Sequence, residues 1–327
     1  MTLTPKQIRN WKHYADNSPL YRRLTDVIAD DPRLCDVLNA IEDRTRHNLL
    51  YAAVQYLMMR DGPGDLGRFY PNFTDEPSDL DGIDGPFTDF VLENSTELIA
   101  LGNSRLTQTN ECRRCVALLP GVWETPATTF HLVDFGTSAG LNLYLDRYQY
   151  RWGDQHWGRA SPVVLETENR GRPMDIREVE VLSRTGLDLN PLDPTDRDNR
   201  LWLEALIWPE HDERRRRLRA ALDLAGAGES EFVIGDALET LGPTLDSLPG
   251  AEPAVVLNSF ILNQFAPDDR SRVGDIVDRA RESRPIYRVS MEWLSKESDA
   301  ATIAVDIGAG LREVGRAQPH GEWIDFD

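Results

Sequence analysis

Lysine is almost missing from this chain: Lys6, Lys12 and Lys296 are the only three among 36 basic residues, and the rest are arginines. Against them stand 55 acidic residues, a net charge of −19 and a pI near 4.7. Such a surface repels nucleic-acid phosphates unless a basic groove is set apart from it, so nucleic acid is not an expected partner. Cysteine is also scarce, at Cys35, Cys112 and Cys115. Cys112 and Cys115 have the spacing of a redox or metal pair, but a zinc site takes about four ligands and no second pair exists. Buried structural thiols on one helix face, and no metal, are expected. There is no run of 18 apolar residues to span a membrane. The polar opening has no apolar stretch of the kind a secretory signal carries, which points to the cytoplasm.

The chain is 40% hydrophobic over 327 residues, enough for a large core and two domains. Its acid excess with little lysine is the composition of proteins adapted to concentrated salt, where carboxylates hold water and salt screens their repulsion. Apolar residues follow the helical period through residues 5–60, and residues 87–101 and 105–119 read as two further helices. The stretch 61–84, rich in Gly, Pro and Asp, reads as a loop. Residues 129–135 are a short β-prone run followed by a Gly-rich turn and an amphipathic stretch at 141–150, which reads as strand, turn and helix. Short strands are expected at 162–165, 179–182, 231–236, 254–258 and 285–291, with a terminal strand pair built from 302–305 and 313–326. A long helix is expected at 196–224, with arginines at 214–217 on a solvated face. Strands alternating with helices imply a mainly parallel sheet. The expected organisation is therefore a helical region over residues 1–120 and an α/β domain over 121–327.

The central motif is Val133-Asp134-Phe135-Gly136-Thr137-Ser138-Ala139-Gly140-Leu141-Asn142. Its glycines let the backbone turn sharply and approach a ligand at a strand end. The pattern resembles the first motif of class I S-adenosylmethionine-dependent methyltransferases, with Ser138 where the middle glycine stands. That resemblance implies a Rossmann-like sheet with Asp134 on the methionine ammonium, and Gly136, Thr137, Ser138 and Gly140 along the ribose and methionine. It also implies Asp188 on the ribose hydroxyls, Asp236 on the adenine amino group, and Asn258 near the transferring methyl. The same letters read as Gly-x-Ser-x-Gly, the nucleophile elbow of α/β-hydrolases, with Asp306 and His320 as late triad partners. Against an esterase, the elbow here follows no earlier strands and no His-Gly-Gly segment precedes it.

The chain as a whole resembles a prokaryotic family known as a domain of unknown function. The resemblance is carried by Ser18-Pro-Leu-Tyr21, Asn48-Leu-Leu with Ala52-Ala-Val, Arg105-Leu-Thr-Gln-Thr-Asn-Glu111, the run from Gly136 to Asp146, Asp188-Leu-Asn-Pro-Leu-Asp193, Trp202-Leu-Glu-Ala-Leu-Ile-Trp-Pro209 and Pro319-His-Gly-Glu-Trp323. It implies no activity of its own. Within it, Gln108, Asn110 and Glu111 are either the wall of a substrate pocket, with Glu111 and Asn258 as candidate catalytic groups, or part of a helix cap begun by Thr107. The expected activity is methyl transfer from S-adenosylmethionine to a small-molecule or protein acceptor. Two alternatives are an esterase using Ser138 and a non-catalytic ligand-binding protein on the same fold.

Overall fold

Local signals set the first helices. A computed structural model describes residues 2–293 and 299–327; Lys296 lies outside them. Thr4 and Gln7 form a capping box on α1 (Pro5–Asn10), and Ser18 caps α2 (Pro19–Asp30) by accepting the Tyr21 N–H, with Pro19 at the first helical position. α3 (Pro32–Asn39), α4 (Arg46–Asp61), α5 (Asp84–Glu93) and α6 (Ser95–Ser104) follow. The single helix expected at 87–101 is two, because Asn94 leaves the helical region and its Nδ2 donates back to Phe90 O at 2.8 Å.

The helix expected to begin at 105 begins later. Residues 105–111 are irregular, a 3₁₀ turn covers Cys112–Arg114, and α7 runs Cys115–Trp123. Leu106 O accepts from the Trp202 indole instead of from a helical amide. Thr107 is therefore no helix cap; its hydroxyl meets that of Thr45 at 2.8 Å, and Glu111 caps the 3₁₀ turn by accepting Arg113 N–H.

The chain forms two compact units. One comprises residues 1–109 and 197–219, the other residues 110–196 and 220–327. The division thus falls at 109 rather than 120, and a later segment returns to the first unit. That segment contains α8 (Arg197–Ala205) and the start of α9 (Asp212–Gly226), which replace the one long helix expected. The break has a cause: Gln55 Nε2 takes the carbonyls of Ala205 and Ile207, and Pro209 follows. Trp202 and Ala205 join the core of this unit with Leu49, Leu50 and Val54 of α4.

Among the described residues the strands fall in the second unit: β1 (Thr129–Phe135), β2 (Gln149–Trp152), β3 (Gln155–Trp157), β4 (Val164–Asn169), β5 (Glu180–Asp188), β6 (Glu231–Ile234), β7 (Ala254–Ser259), β8 (Ile286–Glu292), β9 (Ala301–Asp306), β10 (Arg312–Ala317) and β11 (Trp323–Phe326). They form one sheet in the order β3-β2-β4-β11-β10-β9-β8-β7-β1-β5-β6. Five neighbours, β6-β5-β1-β7-β8, are parallel throughout. β8, β9, β10 and β11 pair antiparallel in succession. Helices α10 (Ala237–Ser247) and α11 (Pro267–Ala280) cover the parallel half, burying Leu241, Leu245, Val273 and Val277 with Val133, Phe135 and Val256.

The expected helix at 141–150 is a 3₁₀ turn over Leu141–Arg147, kinked at Tyr144, that leads into β2. Three side chains take the carbonyls an α-helix would use: Tyr148 Oη binds Leu141 O (2.7 Å), Tyr150 Oη binds Leu145 O (2.5 Å) and Arg184 Nη1 binds Leu143 O (2.5 Å). Among the described residues, no helix is long and apolar enough to cross a membrane.

Candidate functional site

After β1 the chain visits β2, β3 and β4 at the far edge of the sheet; β5 and β6 then line up on one side of β1, and β7, the next strand, lies on its other side. The carboxyl ends of β1 and β7 therefore flank a topological switch point, where open α/β sheets bind ligands. The Gly-rich turn lies there. Gly136 and Gly140 adopt φ of 75° and 72°, and Ser138 stands between them at φ 51°. A Cβ on Gly140 would sit 2.9 Å from the Phe232 ring, and one on Gly136 would sit 2.8 Å from Ile261. Gly186 on β5 has no side chain to spare either, because Thr137 fills that space.

Every amide of the turn has a partner inside the protein. Gly136 and Thr137 donate to Leu187 O at 2.8 and 3.2 Å, and Gly140 donates to Thr137 O at 2.9 Å. Ser138 N–H reaches Asp188 Oδ2 at 2.8 Å. Ala139 N–H reaches Asn110 Oδ1 at 3.2 Å, while Asn110 Nδ2 donates to Ser138 Oγ at 2.9 Å. Asp188 spends its other oxygen on Asn190 N–H.

Asp134 ends β1 inside the protein. Its Oδ2 accepts from Thr137 Oγ1 (3.0 Å) and Asn142 Nδ2 (3.4 Å), but its buried Oδ1 has no hydrogen-bond partner. Burial pushes its carboxyl up to about 7, against the lowering effect of the two donors. Asn142 also donates to Ser259 Oγ at the end of β7 and accepts from the buried Cys115 thiol.

The other expected site residues divide. Asp236 lies two residues beyond β6, exposed, and caps α10 by accepting Leu238 N–H at 2.9 Å. Beside the ends of β5 and β6 two large apolar side chains stand open, Leu189 at 74% and Ile234 at 73% exposure. Asn258 is fully buried and committed within the sheet: its Nδ2 donates to Ser290 Oγ and Glu292 Oε1, and its Oδ1 accepts from Arg288 Nε. That leaves its amide no free hydrogen for an acceptor molecule. Glu111 is buried as a cap, and Gln108 belongs to the other unit. The partner of Ser138 Oγ is an amide donor, which cannot take its proton as a catalytic base must. Asp306 is engaged by Arg281 at 3.0 Å and by the amides of Gly308 and Gly310.

Sequence reasoning passed over Glu292. Its Oε1 accepts from Asn258, from Ile261 N–H (3.0 Å) and from Leu262 N–H (3.2 Å), and so seats the segment that lies against Gly136. Burial raises its carboxyl above the usual range. A lone Glu at the end of a strand carries no pattern that would have marked it. Phe260, next to Ile261, is held at φ 56°.

Three free cysteines are buried, and no group of three or more metal-ligating side chains gathers among the described residues. Neither a curated protein nor a solved structure matches the chain. Residues 9–326 match the family described as "Uncharacterized protein conserved in bacteria (DUF2332)", and the chain belongs to that family.

Proposed function

We propose that the second unit binds S-adenosylmethionine at the β1–β7 switch point and is a class I, Rossmann-like methyltransferase acting on a small-molecule or protein acceptor. The observation that carries this reading is the chemistry left open at the turn. Phosphate-binding turns offer unpaired N–H groups, whereas here all five amides are used and the open atom is the buried Asp134 Oδ1. A ligand for this turn brings a cation and hydroxyl groups rather than a phosphate.

S-adenosylmethionine fits those residues. Its ammonium supplies the donor and positive charge that Asp134 lacks. The remaining lone pairs of Asp188 suit ribose hydroxyls, and Asp236 suits the adenine amino group, with Leu189 and Ile234 as apolar surface for the ring. The cofactor supplies an activated methyl on a sulfonium. The chain's own part is to orient the two reactants and exclude water, and positioning can provide much of the rate.

Calorimetric titration with S-adenosylmethionine and S-adenosylhomocysteine in molar KCl tests the reading, with NAD and ATP as controls. Binding of both methionine compounds, lost in Asp134→Ala, is the expected result. Binding of NAD or ATP in their place sinks it.

A further inference from the structure

Arg215 is an anomaly in a chain so rich in acid. It is only 2% exposed, and among the described residues it forms no ion pair. Its Nη2 donates to Ile207 O at 3.1 Å and, more distantly, to Trp208 O at 3.4 Å. Its Nε and Nη1 are buried with no partner at all. Burying a guanidinium this way is costly unless something negative accompanies it.

The surroundings supply further donors. Ile207 O also accepts from Gln55 Nε2, and the same Nε2 lies 2.7 Å from Tyr21 Oη. The two hydrogens of that amide are shared among Tyr21 Oη and the carbonyls of Ala205 and Ile207, and because an amide nitrogen cannot accept, the Tyr21 proton points elsewhere. Tyr70 Oη, fully buried, has no hydrogen-bond partner. Glu210 is the acid on this side; its Oε1 accepts from Ser18 Oγ (2.8 Å) and Leu20 N–H (3.3 Å) at the start of α2, its buried Oε2 has no hydrogen-bond partner, and it does not come within ion-pair distance of Arg215. The segments Ser18-Pro-Leu-Tyr21 and Trp202 to Pro209, which the reaction leaves unused, thus converge on one buried guanidinium.

We propose that the helical unit holds a small monovalent anion, a halide or a simple carboxylate, on Arg215 Nε and Nη1 with the Tyr21 hydroxyl as a further donor. The anion neutralises the guanidinium that holds the carbonyls of Ile207 and Trp208 after α8. This site is independent of the methyltransferase reading and lies in the other unit.

Chloride is the first probe. The full chain is titrated with KCl in a background of potassium sulfate, a divalent anion outside the proposed class, at constant ionic strength, following the melting temperature and the ³⁵Cl line width. Screening of the acidic surface is the same at every point, so only site binding gives a saturating response. The wild type is expected to show a saturating rise in melting temperature with ³⁵Cl broadening. Arg215→Met should lose both, and Tyr21→Phe, which keeps the ring, should weaken the apparent affinity about tenfold. Acetate in place of chloride, competing away the broadening, identifies a carboxylate as the preferred occupant. A wild type whose melting and line width do not respond to either anion overturns the site, as does an unchanged response in Tyr21→Phe together with Arg215→Met.

Discussion

Asn110 grips Ser138 from outside the Gly-rich turn: its Nδ2 donates to the Ser138 hydroxyl while its Oδ1 holds the next amide, that of Ala139. One side chain thus steadies two successive residues, the first of them in the left-handed region. Asn110→Ala should destabilise the protein by about 1–2 kcal/mol, since buried backbone and hydroxyl groups lose their partner. It should also weaken binding of S-adenosylhomocysteine. Thr107→Ala should change stability by less than about 0.5 kcal/mol, because Thr107 caps no helix. Chemical denaturation of the two variants compares them directly, and a larger loss in Thr107→Ala would contradict the assignment.

Gly140→Val places a branched side chain at φ 72° and against Phe232. The strain should cost roughly 1–3 kcal/mol and leave unfolding cooperative. Calorimetry of this variant should find no binding of S-adenosylhomocysteine; unchanged affinity would remove the turn from the site.

Asp134 makes stability depend on pH in an unusual direction. Its carboxyl titrates near 7 in the folded protein and near 4 when unfolded, so between those values the folded state binds more protons. Its contribution is therefore greatest below about pH 4, is lost as pH rises toward 7 and stays flat above. The span is on the order of 4 kcal/mol for a shift of this size. In Asp134→Asn this downward trend should vanish from urea unfolding measured between pH 4 and 7. A ligand ammonium on Asp134 should also release a proton near pH 6, visible as a binding enthalpy that varies with the buffer's ionisation enthalpy.

The net charge of −19 should make the melting temperature rise between low and molar KCl. Self-repulsion destabilises the folded state at low salt, and the screening length falls to about 3 Å at 1 M. A melting temperature that is flat or falls with KCl would argue against adaptation to concentrated salt.

The sequence by itself determined the parts of the fold that local pattern encodes. The β-prone runs at β1, β6, β7 and β8 need only apolar, branched side chains, and the positive φ of Gly136 and Gly140 follows from glycine between a strand and a tight turn. Alternation of these strands with helical stretches was enough for a mainly parallel sheet, and Asp134 at the end of β1 was visible in the motif. Tertiary structure decided what depends on partners distant in the chain. Residues 141–147 have the letters of a helix, but the distant Arg184 captures Leu143 O, and the nearby Tyr148 and Tyr150, turned back by β2, take Leu141 O and Leu145 O. Residues 105–111 leave the helix because Trp202 takes Leu106 O, and Asn110 finds its partners on the far side of β1. The same competition ends α8 at Ala205, where Gln55 takes the terminal carbonyls, and α8 joins the helical unit. A backbone carbonyl accepts whichever donor the fold brings to it, and a donor dozens of residues away leaves no trace in the local period.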